Sequence, residues 1–60
     1  MLIRQIERFL RESGMSATRF GRSAVRDPRF VHDLRNGREP RGATEARVHA
    51  WLDAQEEKAR

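Results

Sequence analysis

Apolar residues open the chain at helical spacing. Leu2, Ile3, Ile6, Phe9 and Leu10 recur three and four positions apart, with Arg4, Gln5, Glu7, Arg8, Arg11 and Glu12 between them. This pattern predicts an amphipathic helix over 2–13, ended by Ser13 and by Gly14, a residue suited to the left-handed stop of a helix. Ser16 then has the side chain of an N-cap, and predicts a short second helix over 17–24. Met15 before the cap and Phe20 within the helix are placed to form a hydrophobic staple. Gly21 lies inside that helix, where glycine costs about 1 kcal/mol relative to alanine, so close approach of another helix is expected there.

Asp27-Pro28 is a second start signal: aspartate caps, and proline is pre-set for the first helical position. The helix it opens is expected over 28–36, with Gly37 as its stop. Val31 and Leu34 would face the core, Phe30 and Arg35 its borders, and Arg29, His32, Asp33 and Asn36 the outside. Residues 38–42 read as a turn-rich linker. Thr44 is the expected cap of a last helix over 45–57, which carries Val48, Trp51, Leu52 and Gln55 on one side. Residues 56–60 are expected to fray. The prediction is an all-α, compact four-helix domain spanning 1–60, without strands or repeats.

Sixty residues hold one domain with a small core. A chain this size buries only about 60% of its unfolded surface, so helix packing or self-association must supply the remaining stability. With no cysteine, disulfides and Cys-based zinc sites are excluded. His32 and His49 lack further ligands at metal spacing, so neither a metal nor another cofactor is expected. No apolar run approaches the about 18 residues of a membrane span, and charges interrupt the first apolar positions, unlike a signal peptide. A cytoplasmic protein at the nucleoid, with no membrane association, is the expectation.

Charge changes the picture more. Thirteen basic residues, twelve of them arginine, stand against nine acidic ones, giving net +4. A GC-rich genome would also favour arginine codons, so distribution is more informative than the total. Between Arg19 and Arg41 there are seven arginines against Asp27, Asp33 and Glu39, whereas from Gly42 onward three basic residues face four acidic ones. The excess is central, where a binding surface would be, and guanidinium forks suit phosphate oxygens and guanine edges. The alternative is a solvated basic face.

Two short helices joined by about three residues, the second capped and rich in side chains that fit a DNA groove, describe a helix-turn-helix. The stretch Met15-Ser16-Ala17-Thr18-Arg19-Phe20-Gly21, followed by Val31-His32-Asp33-Leu34-Arg35-Asn36-Gly37, resembles the Cro and phage-repressor type, the lambda-repressor-like family. Phe20 matches the apolar residue that closes the first turn of that family's second helix. Gly21 matches the small residue, usually alanine, that follows it. Val31 and Leu34 match the core positions of its recognition helix, and Arg35-Asn36-Gly37 matches that helix's ending. The resemblance covers about residues 2–52 and rests on spacing more than on identity. It departs at Val25 and Arg26, where the family has glycine and then an apolar residue, at Pro28, and in lacking sequence for a fifth helix.

Position by position, the resemblance implies that Pro28, Arg29, His32 and Asp33 face base edges in the major groove. Arg29 would address guanine O6 and N7, worth about 1–3 kcal/mol of discrimination. His32 would donate to guanine or thymine. Asp33 would accept from cytosine or orient Arg29, unless it is simply the intrahelical partner of Arg29. Phe30 is either a border core residue or a contact for a thymine methyl. Phosphate contacts would come from the backbone N–H groups of Ser16, Ala17 and Thr18, and from Arg19, Arg22, Asn36, Arg38 and Arg41. Arg38 and Arg41 could equally be solvated linker charge, and two of these four arginines are expected to be contacts. Arg4, Arg8 and Arg11 read as a solvated face beside Glu7 and Glu12.

One module reads half a site, so a homodimer on a palindromic operator is expected. Trp51 either serves that interface or, as preferred, closes the core against Ile6 and Phe9, leaving Leu2, Leu52 and Gln55 as a self-association patch. The expected function is a sequence-specific regulator of transcription, a repressor, bound to double-stranded DNA and taking no small-molecule ligand. A protein-interaction module of antitoxin or adaptor type, and a sequence-blind nucleoid-packing protein, are the alternatives. The chain shows no nucleophile–base pair, metal set or phosphate-binding glycine loop, so an enzyme is not expected.

Overall fold

The computed structural model describes residues 2–58. These form α1 (Leu2–Ser13), α2 (Ala17–Val25), α3 (Phe30–Arg35) and α4 (Gly42–Lys58), with no strand among the described residues. In α1, Leu2, Ile6 and Leu10 lie four apart and are buried together, while Arg4, Arg8 and Arg11 are exposed. Gly14 stops the helix at φ +74, its N–H donating to Leu10 O at 2.9 Å.

Ser16 caps α2 as its side chain suggests. Its backbone is extended and its Oγ accepts the Arg19 N–H at 3.1 Å. Met15 packs half-buried against the core that contains Phe20. The close approach at Gly21 is real, but it comes from the turn as well as from a helix. A β-carbon there would collide with the Asp27 carbonyl oxygen and stand 3.4 Å from Phe30 Cβ. The Gly21 carbonyl in turn accepts the Asp27 N–H at 3.0 Å, which fixes the turn against α2.

α3 is shorter than the expected 28–36. Pro28 and Arg29 form a turn ahead of it, in which Asp27 Oδ1 accepts the Arg29 N–H at 2.9 Å and Asp27 O accepts the Phe30 N–H at 3.2 Å. The α-helical ladder starts only with Asp33 N–H donating to Arg29 O. Pro28 therefore shapes the entry without being the first helical residue. Beyond α3, Gly37 sits at φ +93 with its N–H on Leu34 O, and the Arg38 N–H reaches Asp33 O, the paired closure of a Schellman motif.

α4 begins before the expected 45–57. Gly42 and Ala43 are already helical and the Glu45 N–H donates to Arg41 O at 2.9 Å, so Thr44 lies inside the first turn and is not the cap. At the other end the helix continues through Lys58 where fraying was expected, and residues 59–60 lie outside the described ones. α2 packs against both α3 and α4, and α1 lies against α3. The core joins Leu2, Ile6 and Leu10 to Phe20, Ala24, Phe30, Val31 and Val48. Phe30 is thus a core residue, out of reach of a thymine methyl. Leu2 belongs to the core too, and not to a self-association patch.

Trp51 closes the assembly. Its ring meets Phe9 edge-on at 5.4 Å and Phe20 at 5.1 Å, and Phe9 and Phe20 are 5.9 Å apart, so three rings join α1, α2 and α4. Leu52 and Gln55 line a groove of about 460 Å³ between α1 and α4, together with Phe9, Arg8 and Glu12. Among the described residues no helix is long and apolar enough to cross a membrane.

Candidate nucleic-acid interface

Three arginines are held in ion pairs among the described residues. Arg8 is paired with Glu12 at 2.9 Å along α1. Arg35 reaches from α3 to Glu7 of α1 with two parallel hydrogen bonds, Nε at 3.1 Å and Nη2 at 2.6 Å. Those bonds draw the Glu7 carboxyl below its ordinary value and raise the Arg35 guanidinium above its own. Arg38 folds back onto α3, its Nη1 at 3.1 Å from Asp33 Oδ2. These pairs are structural.

Arg19, Arg22, Arg26 and Arg29 make a different set. All four are exposed, and none has an ion pair among the described residues. Arg19 and Arg22 are three apart on α2 and share its outer face. Arg29 stands at the N-cap position of α3 (φ −96, ψ −1), with its backbone N–H held by Asp27 and its side chain free. Pro28 is exposed beside it, and His32 is exposed one helical step further on. At the start of α2, the backbone N–H groups of Ser16, Ala17 and Thr18 find no acceptor among the described residues, while Ser16 Oγ accepts the Arg19 N–H.

The expected base and phosphate residues are therefore not all brought together. Asp33 is half-buried and held by Arg38, so it neither pairs with Arg29 nor is free to orient it. Arg38 is tied down for the same reason. Asn36 is exposed but works as the C-cap of α3, its N–H shared between Asp33 O and His32 O. Arg41 lies apart, lining a cleft of about 360 Å³ with Arg38 and Arg47 on one side of the charge balance and Asp27, Asp33 and Glu39 on the other. Of the four arginines expected to include two phosphate contacts, only Arg38 is held in an ion pair among the described residues; Arg19 and Arg22 are free on α2, and Arg41 is free but stands apart from them at the cleft.

Arg26 was not among the expected contacts, because spacing assigns it to the turn. The signal was nevertheless in the chain: Arg19, Arg22 and Arg26 continue an i, i+3, i+7 series. Its conformation is unusual. At φ 57 and ψ 32 it is the one non-glycine residue in the left-handed region among the described residues, and its N–H donates to Arg22 O at 3.2 Å. An L-residue with a β-carbon pays about 1–2 kcal/mol for that conformation, and glycine does not. Position 26 thus has the backbone geometry that glycine supplies elsewhere, carried here by arginine.

No family model, no characterised protein and no solved structure matches this chain.

Proposed function

We propose that the chain is a sequence-specific double-stranded DNA-binding regulator of transcription, a repressor that acts as a homodimer on a palindromic operator. α3 enters the major groove with Pro28, Arg29 and His32 toward the base edges. The N-terminal N–H groups of α2, with Arg19 and Arg22, meet the flanking phosphates. Asp33 and Arg38, closed on each other, stay outside the contact set. The observation that carries this proposal is a run of unmatched charge: Arg19, Arg22, Arg26 and Arg29, successive cations along α2 and up to the head of α3, have no carboxylate partner among the described residues, whereas Arg35 and Arg38 at the end of α3 do. Unmatched like charges three and four residues apart repel, and a polyanion relieves that cost.

Selection of binding sites from a random DNA pool at near-physiological salt tests it. The expected result is an enriched palindrome with half-sites about ten base pairs apart. Arg29→Ala should then lose about 1–3 kcal/mol of preference for that site while binding to random duplex largely survives. Equal loss on both duplexes would remove Arg29 from base reading. Binding that enriches no sequence and collapses as salt rises would leave phosphate packing instead, and the absence of DNA binding would leave a protein partner.

A further inference from the structure

Three helix ends in this chain close through a residue in the left-handed region: Gly14 after α1, Arg26 after α2 and Gly37 after α3. In each the N–H of that residue bonds back to a helical carbonyl, of Leu10, Arg22 and Leu34 respectively. These are backbone interactions, and glycine satisfies them at two of the three sites without strain. Nothing in the fold repays a side chain at the third. The Arg26 side chain makes no hydrogen bond or ion pair among the described residues, and the residue is exposed. The neighbouring carboxylate, Asp27, is occupied by the Arg29 N–H.

What the side chain does have is position. It stands exposed at the joint between α2, which carries Arg19 and Arg22, and the head of α3, where the chain reaches Arg29. A strained residue persists where something outside the local backbone requires it. We infer that Arg26 is a phosphate-binding residue, a cation held at the joint between α2 and the head of α3. Its left-handed backbone costs fold stability. The role rests on the DNA binding proposed above, and it adds a contact to that surface without reading sequence.

The test uses the full chain and its Arg26→Gly and Arg26→Lys variants, with two fluorescent duplexes, the selected site and a random sequence, titrated over a series of KCl concentrations. Arg26→Gly should melt at a higher temperature than the unsubstituted chain, since the backbone geometry is kept and the strain removed. It should nevertheless bind both duplexes about tenfold more weakly at low salt, with the slope of log K against log salt reduced by about 0.9 and site preference unchanged. Arg26→Lys should keep the slope. If Arg26→Gly binds both duplexes as the unsubstituted chain does, or if it melts lower, or if lysine fails as glycine does, the assignment is overturned while DNA binding stands. If the unsubstituted chain binds neither duplex, the DNA-binding proposal falls and this role with it.

Discussion

A single hydrogen atom in place of a methyl group decides the geometry at residue 21. Alanine would raise the helix propensity of α2 by about 1 kcal/mol. Against that, its β-carbon would collide with the Asp27 carbonyl oxygen, which belongs to the backbone and cannot rotate away. Overpacking of this kind costs about 1–3 kcal/mol, and here it would also disturb the Asp27 N–H bond to Gly21 O. The expected outcome for Gly21→Ala is a net loss of about 1–2 kcal/mol in urea unfolding. Equal or greater stability would show that the turn gives way easily. The sequence pattern pointed to a small residue here, and alanine would have satisfied the pattern; what the pattern lacked was the turn's carbonyl.

At the scale of elements, α3 has under two turns and is held in place by neighbours. Val31 and Phe30 are buried beneath it, and the Arg35–Glu7 pair ties its last turn to α1. Because Arg35 depresses the Glu7 carboxyl in the folded state, the unfolded chain binds more protons in acid. The clamp's contribution is complete above the ordinary carboxyl value of 4.5 and is lost as pH falls through the lower folded value. Both side chains are nearly half exposed, so solvent screening limits the contribution to about 1 kcal/mol or less. Glu7→Gln should therefore be slightly less stable than the unsubstituted chain at neutral pH and converge with it in acid, as read by urea melts at both. A gap that stays constant with pH would mean the pair acts by packing alone.

Elements also separate what was legible in the sequence from what was not. α1 and α2 could be read almost to the residue, because Gly14 and Ser16 act locally and their hydrogen bonds lie within the segment. The starts of α3 and α4 were misplaced for opposite reasons. Asp27 spends its oxygens on a turn before the helix, whereas Arg41 O accepts the Glu45 N–H and starts α4 ahead of Thr44. The partners of Arg35 and Arg38 could not be read at all: the first lies 28 residues away, and the second depends on the chain folding back after Gly37. Those two pairings separate exposed free charge from structural charge, so the candidate surface was legible in outline and not in membership.

Taken whole, the molecule is small, 32 × 22 × 20 Å, and among the described residues four side chains of any size are fully buried: Phe20, Ile6, Val31 and Val48. The triangle of Phe9, Phe20 and Trp51 is then a large part of what joins α1, α2 and α4. Removing the indole forfeits two edge-on ring contacts and the area beneath them. Trp51→Ala should lose roughly 3 kcal/mol, the low end for a buried tryptophan since Trp51 is only half-buried. For a core this small that is most of the stability, so the far-UV thermal transition should broaden and shift well below that of Trp51→Phe. A shift of a degree or two would mean that the other helix contacts suffice.

The shortness of α3 has one more consequence. An isolated helix is marginal in water below about 12–15 residues, and this one has six. The surface it presents is consequently a property of the assembled chain and has no existence in a fragment or a partly melted state. Under the DNA-binding proposal, binding competence would then follow the native population. If the DNA-binding reading holds, warming or a remote core lesion would each weaken binding by depleting folded molecules, without touching a residue of the proposed interface.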